Sequence, residues 1–278
     1  LWPDYHDTGP KQLLNGVMLP AGQTGEQDLA DALDNVFNHP NVGPFMAVRL
    51  IQRLTTSNPS PAYVRRVAQT FDNNGNGVRG DLGAVVRAIL LDPEARPSNP
   101  IAMDGKLKEP LLRLTQLYRA YNATSASGKF SLAWLYTLIG QGPQQSPSVF
   151  NFFSPFFAPP GEIRNAGLVA PELEIATEYL NTYFTNWILW QTFGNNHTNP
   201  DLGEDQVYIN FQEEMDIAAN ADGLVAMVAG KLLGGEISET LRAEVTGMVD
   251  RIAPTDAALR AAEAIYLITT SPEFAHQR

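Results

Sequence analysis

The strongest constraint on this chain is that apolar side chains recur at every third or fourth residue, which places them on one face of an α-helix. The segment that follows Thr24 shows this spacing. Its apolar stripe consists of Leu29, Leu33, Val36 and Phe37. Thr24 and Gln27 also fit a capping box, in which each side chain bonds the other residue's backbone N–H. The sequence therefore predicts a first helix after Thr24.

The same reasoning predicts helices along most of the chain. The sequence lacks the alternation of strands and helices that is typical of nucleotide-binding α/β folds. Ser60 and Asp81 are suitable N-cap residues for the third and fourth helices. Val207, Ile209 and Phe211 alternate as in a short strand. We expect a mostly α, multi-helix globular assembly with at most one short strand or hairpin. Later helices are predicted at 107–121, 131–139, 172–193, 222–233, 238–252 and 255–270.

A segment rich in Pro and Phe, residues 140–167, interrupts the helical pattern. Burying one phenylalanine contributes about 1.5–3 kcal/mol, so we expect an ordered loop wrapped on the core. A long loop of this kind is a candidate binding element. If its rings are exposed, they form an interaction surface. The candidate interaction residues are Phe150, Phe152, Phe153, Phe156 and Phe157.

The chain is expected to fold as one continuous domain with two regions. Residues 1–103 form an N-terminal helical region that contains an Asp/Asn/Gly loop, and residues 104–278 form a C-terminal helical region. Because the chain begins Leu1-Trp2-Pro3, without an initiator methionine, we interpret it as a fragment of a longer protein.

Charge excludes one class of partner. The formal net charge is −11, which argues against nucleic acid, since nucleic-acid binding needs Lys and Arg to neutralise phosphates. Residues 165–230 contain ten acidic residues and no Lys or Arg. The simpler interpretation is that these acidic residues lie on solvent-exposed helix faces. The alternative is that this acidic part meets cations, or pairs with basic surfaces within or between chains.

Composition and hydropathy exclude further classes. The chain has no cysteine, which rules out disulfides, thiolate catalysis and cysteine-ligated metal centres. No apolar run approaches about 18 residues, so no transmembrane segment is predicted.

One loop resembles a calcium site. Calcium loops place oxygen ligands at positions 1, 3 and 5 and a backbone carbonyl at position 7. The candidate ligands are Asp72, Asn74, Asn76, the carbonyl of Val78, and Asp81. Gly83 occupies the position of the usual bidentate acid, so Asp81 would have to serve in a shortened loop, with weak affinity. The alternative is a Gly/Asn-rich turn in which Asp81 caps a helix.

Catalytic residues are not identified by any motif. His6 and Asp7 are interpreted as a surface turn, and His39 as the end of a helix. The alternative is that these residues act as a catalytic acid and base. Ser146, Ser148 and Ser154 have no histidine nearby in sequence. Glycosidase carboxylates could come from Glu172 with Glu174, or from Glu213 with Glu214, although neighbouring acids on a helix usually point apart into water.

The aromatic residues carry a further alternative. Tryptophans and tyrosines at helical spacing are usually core, yet they could line a carbohydrate-binding groove. The tryptophans are Trp2, Trp134, Trp187 and Trp190.

Ten stretches together resemble one bacterial family. They are HDTGPK at 6–11, HPNVGPF at 39–45, NPSPAYVRRVA at 58–68, RGDL at 79–82, AILLDPEAR at 88–96, KEP at 108–110, PSVFNF at 147–152, APE at 170–172, SPEF at 271–274 and QR at 277–278. The chain resembles the C-terminal part of a DUF1800 protein, a family of unknown function with typically longer members. The resemblance implies an exported location, periplasmic, cell-surface or extracellular, and a partner from a second exported family, DUF1501. It supplies no catalytic residues.

Two functions are therefore expected as rivals. The first is an exported, non-catalytic helical module that binds a protein partner or assembles with itself at the cell exterior. The second is an extracytoplasmic hydrolase acting on polysaccharide or another polymer. A deep polar pocket would favour the hydrolase, and a flat patch made by the Phe/Pro loop would favour the module. Calcium, as a stabiliser, is compatible with both.

Overall fold

The computed structural model describes residues 2–98, 104–130 and 135–277. Thirteen α-helices occur within these ranges, which confirms the mostly α prediction. The chain divides into two compact units, Leu1–Ala102 and Met103–Arg278. No helix in the described part of the chain is both long and apolar enough to cross a membrane.

Unit 1 contains a short antiparallel pair of strands, preceded by a 3-10 turn at Pro3–Tyr5 and followed by four helices. The predicted caps form: Thr24 and Gln27 make the capping box, and the side chains of Ser60 and Asp81 accept backbone N–H groups of the first turns that follow them. The elements are β1 (Lys11–Gln12), β2 (Met18–Leu19), α1 (Gly25–Phe37), α2 (Val42–Leu54), α3 (Pro61–Asp72) and α4 (Leu82–Leu91).

The core of unit 1 is built by α2, α3 and α4 around Ile51, Val67 and Ile89, all fully buried. Tyr63 lies in this core and its hydroxyl donates to the carbonyl of Ile89 at 2.7 Å, which satisfies a polar group that would otherwise be costly to bury.

The apolar stripe of helix α1 is more exposed to solvent than its sequence pattern predicts. The sequence pattern favours burial, but much of the stripe is exposed to solvent. Phe37 still contacts the core of unit 1, with its ring 6.0 Å from that of the buried Phe71. The exposed residues are Leu29, Leu33, Val36 and Phe37.

Unit 2 contains nine helices within its described residues, and its first and last strands pair with each other. Helix α12 is central, with Ala261, Ala264, Ile265 and Ile268 fully buried. The elements are β3 (Lys106–Leu107), α5 (Pro110–Ala120), α6 (Leu135–Ile139), α7 (Glu162–Asn165), α8 (Glu178–Leu189), α9 (Gln212–Ile217), α10 (Ala221–Leu233), α11 (Glu239–Val249), α12 (Ala257–Thr269), α13 (Pro272–Ala275) and β4 (His276–Gln277).

The helix predicted at 172–193 is three elements. Pro171–Glu174 is a 3-10 helix, α8 begins after Thr177, and Trp190–Gly194 is a π-helical turn. Thr177 starts the new helix because its backbone is extended and its hydroxyl accepts from the N–H of Leu180 at 3.3 Å.

The structure contains more short strands than the sequence predicted, and they lie in different places. Two antiparallel pairs form, β1 with β2 and β3 with β4, where at most one short strand or hairpin was expected. The 207–211 segment makes only isolated bridges, Thr124 with Tyr208 and Asn196 with Ile209. Its partners are loops distant in sequence, which alternation along one segment does not reveal.

The Phe/Pro-rich segment places its rings in different environments. Phe153 is buried and Phe152 and Phe157 are half-buried, whereas Phe150 is 81% exposed and Phe156 is also exposed. The segment is therefore only partly packed on the core, and the interaction surface expected for exposed rings stays a prediction at these two positions. At both positions a serine two residues earlier accepts the backbone N–H, Ser148 for Phe150 and Ser154 for Phe156, which turns the chain locally.

Candidate functional site

An aromatic cavity in unit 2 is the candidate functional site. Its volume is about 710 Å³, within the range typical of small-molecule sites. Four aromatic side chains line it, and three of them come from α8 and the π-helical turn that follows. They are Tyr118, Tyr183, Trp187 and Trp190.

Helical spacing creates the aromatic wall. Residues three or four apart share a helix face, so Tyr183, Trp187 and Trp190 line up on one side. The ring centroids of Trp187 and Trp190 are 6.3 Å apart, and Trp190 remains 66% exposed. An indole left this open at the mouth of a cavity is available to a ligand.

Tyr118 reaches the cavity from α5 and is itself buried. Its hydroxyl donates to Oε1 of Gln191 at 3.1 Å. Burial raises the pKa of the Tyr118 phenol, so the group stays protonated and keeps this hydrogen bond at any physiological pH.

A buried amide network holds the π-helical turn. Nε2 of Gln191 donates to the carbonyls of Asn195 at 2.9 Å and Val207 at 3.1 Å. Nδ2 of Asn196 donates to the carbonyl of Thr192 at 2.8 Å. Single π-helical turns are rare and frequently mark functional sites. Here the turn presents Trp190 at the cavity, and the amides fix that position.

The polar lining consists of three amides, Asn186, Asn195 and Gln206, and one carboxylate, Asp205. The Gln206 amide donates to Oδ1 of Asn195, which orients both side chains. Amides offer donors and acceptors together, so the cavity suits a ligand that carries hydroxyl groups beside apolar faces.

The cavity is lined mainly by the acidic segment of the chain, and a nearby cation, Lys129, is paired with Asp205. Asp205 lies 3.6 Å from the ammonium of Lys129, and both side chains are mostly exposed, so this pair contributes little stability. Eight of the ten lining residues belong to the 165–230 segment that lacks Lys and Arg. An anionic ligand would meet unfavourable potential here.

The chain matches one known protein family over nearly its whole length. The family model described as "Protein of unknown function (DUF1800)" matches residues 1–276. The chain belongs to the DUF1800 family. No curated protein matches it, and no solved structure matches it. The interpretation that the chain corresponds to the C-terminal part of DUF1800 proteins stays a prediction.

Two of the stretches that resemble DUF1800, at 108–110 and 271–274, contact each other in unit 2, and a third pairs with strand β3, which ends just before residue 108. The backbone N–H of Lys108 donates to the carbonyl of Ala275 at 2.8 Å, and the Lys108 ammonium lies 4.4 Å from the centroid of the Phe274 ring. Glu172, from the APE stretch, pairs with Lys106. The Lys106–Glu172 pair is buried in this DUF1800 chain, whereas Lys108 is half-buried.

The carbohydrate-groove hypothesis named two residues of the cavity, Trp187 and Trp190. Trp2 lies in unit 1, and Trp134 is outside the described residues. The hypothesis included the tyrosines as a set without singling out Tyr118 or Tyr183, and it missed the three amides. The spacing of Tyr183 with Trp187 was visible in the sequence, but Tyr118 is distant along the chain and only packing brings it there.

The candidate calcium loop of the DUF1800 chain is closed by its own hydrogen bonds. Oδ1 of Asn74 accepts from the N–H groups of Asn76 at 2.9 Å and Val78 at 3.3 Å. Nδ2 of Asn74 donates to Oδ2 of Asp81 at 2.8 Å. The carboxylate of Asp72 pairs with Arg79.

Asp81 also caps α4, since its Oδ1 accepts from the N–H of Ala84 at 3.0 Å. This bond and the amide of Asn74 hold the pKa of Asp81 below its usual value. Within the described ranges no three Asp, Glu or His side chains gather as a metal site. The geometry of the capped turn is present, and calcium binding stays a prediction.

The acid–base candidates have separate partners. Nε2 of His6 lies 2.9 Å from Oδ2 of the buried Asp28, which Lys11 also contacts at 2.8 Å. Oδ1 of Asp7 accepts from the N–H of Gly9, and Nδ1 of His39 accepts from the N–H of Asn41. Asp7 and His39 order their own turns, whereas His6 ties the N-terminal segment to α1.

In each glutamate pair one carboxylate is exposed, Glu174 or Glu213, as expected, and the other is buried, Glu172 or Glu214, which was not expected. Glu213 and Glu214 both contact the ammonium of Lys231, at 2.8 Å and 2.7 Å, and Glu214 is fully buried. Glu172 is buried against Lys106, and Oε2 of Glu174 accepts from the N–H of Ser154. All four carboxylates therefore have structural partners within unit 2.

Proposed function

We propose that this DUF1800 chain is a non-catalytic module of the cell exterior that binds carbohydrate in the aromatic cavity. The observation that carries the proposal is the combination of exposed indole and phenol rings with oriented amides around one cavity. The exterior location follows from the resemblance described above and is part of the proposal.

The chemistry of a sugar matches this lining. One face of a pyranose ring presents polarised C–H groups, which pack on the negative face of an aromatic ring. Its hydroxyl groups donate and accept, as do the side chains of Asn186, Asn195 and Gln206. Because Gln206 and Asn195 already orient each other, little side-chain freedom is lost on binding.

Binding is favoured over hydrolysis, the rival function. Glycoside hydrolysis usually needs two carboxyl groups, about 5–9.5 Å apart, one of which is an acid with a raised pKa. Asp205 is the one carboxylate among the lining residues of the described chain, and it sits exposed beside Lys129. This is a poor environment for a general acid.

The test is affinity electrophoresis in gels that contain hydroxyethyl-cellulose, linear β-1,3-glucan or linear mannan. We expect retardation by at least one polymer. Trp190→Ala should weaken that binding roughly thirty-fold, about 2 kcal/mol, as for truncation of an aromatic hot spot. Trp2→Ala is the matched control, since Trp2 is an exposed indole of unit 1. The proposal fails if no polymer retards the protein, or if both variants migrate like the parent chain.

Binding of a protein partner is a second candidate, and exposed apolar side chains favour it. Leu29, Leu33 and Val36 form an open stripe on α1, and large exposed apolar patches often mark protein interfaces. In unit 2, Val149, Phe150 and Phe156 are also exposed. The partner would be an exported DUF1501-type protein, or a second copy.

Light scattering after gel filtration tests this second candidate, alone and with the partner present. Leu33→Glu on the α1 stripe, or Phe150→Ser on the loop, should abolish a dimer or a complex. A parent chain that remains a monomer with the partner present contradicts it.

A further inference from the structure

The aromatic wall continues beyond the cavity along α8. Tyr179 does not line the cavity, yet its ring centroid is 4.6 Å from that of Tyr183 and the residue is 62% exposed. The aromatic row therefore comprises Tyr179, Tyr183, Trp187 and Trp190, spaced four, four and three residues apart. This spacing keeps all four on one helix face.

The length of the row exceeds what one sugar can cover. At 1.5 Å per residue, the backbone from Tyr179 to Trp190 rises about 16 Å. The cavity occupies the Tyr183–Trp190 part, and Tyr179 extends the row toward the start of α8. A ligand in contact with all four rings must present several stacking faces in succession, as a chain of sugar units does.

The ring orientations indicate the form of that chain. The planes of Tyr179 and Tyr183 are inclined by 52°, and those of Trp187 and Trp190 by 48°. Rings inclined in this way do not make a flat platform, so they are unsuited to the face of a crystalline polymer. They suit a single chain whose successive units are rotated relative to one another.

Charge selects among such chains. Helix α8 contains no Lys or Arg, and Glu178 lies beside Tyr179 in its first turn. Lys129 reaches the cavity rim but is balanced by Asp205. A polymer of uronic acids or sulfated sugars would find no cation on α8 and would be repelled by the surrounding acidic segment.

We infer that the ligand is a single, soluble chain of uncharged sugar units that lies along the aromatic row from Trp190 to Tyr179. This inference rests on the proposed carbohydrate-binding function and adds the polymeric form and the charge of the ligand. Tyr179 is then a second anchor, used by long ligands and not by short ones.

Titration calorimetry with a length series tests the inference. The probes are the di-, tetra- and hexasaccharides of whichever of the three neutral polymers retards the protein. We expect affinity to rise with length, and Tyr179→Ala to weaken hexasaccharide binding about tenfold, as expected for loss of one stacked ring, with disaccharide binding unchanged. Tyr5→Ala, an exposed tyrosine of unit 1, is the control and should bind like the parent chain.

Two further arms test the form and charge of the polymer. The carboxymethylated polymer should bind at least tenfold more weakly than the neutral one, and the insoluble crystalline polymer should not deplete the protein from solution. Equal affinity for di- and hexasaccharide, or unchanged hexasaccharide binding in Tyr179→Ala, overturns the inference. If the disaccharide still binds and depends on Trp190, the proposed function survives that failure. Preference for the carboxymethylated or crystalline polymer also overturns the inference.

Discussion

The ammonium of Lys106 lies 2.7 Å from Oε1 of Glu172, and both side chains are buried in unit 2. Lys106 belongs to β3, and Glu172 belongs to the 3-10 helix that precedes α8. This ion pair therefore joins the start of the unit to the segment that leads into the aromatic row. Three residues after Lys106 in the chain, Glu109 is also buried, and its Oε2 accepts from Nε2 of Gln141.

Glu172→Ala should destabilise unit 2 strongly. Removing one member of a buried ion pair leaves the other charge in a low-dielectric site and costs about 3–5 kcal/mol. Urea unfolding followed by circular dichroism measures the change in the free energy of unfolding. Asp222→Ala is the control, because the Asp222–Arg242 pair at 3.0 Å is exposed and should contribute less than about 1 kcal/mol. Equal losses in the two variants would contradict the buried pair's importance.

Gln191→Leu should loosen the π-helical turn. The substitution keeps the approximate volume but removes the partner of the Tyr118 hydroxyl and of two backbone carbonyls. Each unsatisfied buried group costs about 1–3 kcal/mol, and urea unfolding measures the total. The isosteric variant Thr192→Val removes one hydroxyl that donates to the carbonyl of Ile188 and should cost only about 1 kcal/mol. A Gln191→Leu loss no larger than this would refute the role of the network.

Millimolar calcium should raise the melting temperature of the chain if the 72–81 loop binds it, since a ligand that binds only the folded state stabilises it. Differential scanning calorimetry measures the shift. Asp72→Ala should abolish it by removing one of the two carboxylates. Magnesium at the same concentration is the control cation. An unchanged melting temperature at millimolar calcium removes the calcium hypothesis.

Lys108 should be more reactive than an ordinary lysine. Burial, reinforced by the charge of Arg113, lowers the pKa of its ammonium to about 8, so roughly half of it is deprotonated at pH 8, against under about 1% of an unperturbed lysine. Acylation by a succinimidyl ester at pH 8, followed by peptide mass spectrometry, should modify Lys108 faster than the exposed Lys129. Faster modification of Lys129 would contradict the lowered pKa.

The same group makes stability depend on pH. Because the folded pKa lies below the unfolded one, the unfolded chain binds more protons between about pH 8 and 10, and the free energy of unfolding should rise with pH across that window. Lys108→Met removes this contribution, so the variant's slope should be lower than that of the parent chain. Identical slopes would show that Lys108 titrates alike in both states.

Features that depend on neighbours in sequence were predictable. Thr24, Ser60 and Asp81 were recognised as helix caps because the bond each forms reaches a residue only three positions away. The helical character of most of the chain followed from apolar spacing for the same reason. The interruption at Thr177 was missed, because apolar periodicity continues through it while one hydroxyl starts a new helix.

Features that depend on which surface an element meets were not predictable. The α1 stripe has the pattern of a buried face but stands exposed in much of its length, and Phe150 is exposed where Phe153 is buried. The type and spacing of the side chains are alike whether the residues end up buried or exposed. The difference lies in whether another element packs against that side, and this information is spread over the whole chain.

By itself, then, the sequence determined most of the helices, the caps at Thr24, Ser60 and Asp81, the acidic segment around the later aromatic residues and membership of the DUF1800 family. Only the tertiary structure brought Tyr118 to Trp187, placed Gln191 where its amide holds a π-helical turn, and paired Lys106 with Glu172. The physical reason is range. Backbone hydrogen bonds and caps act over three or four residues, whereas a cavity or a buried ion pair exists only when segments distant in sequence are packed together.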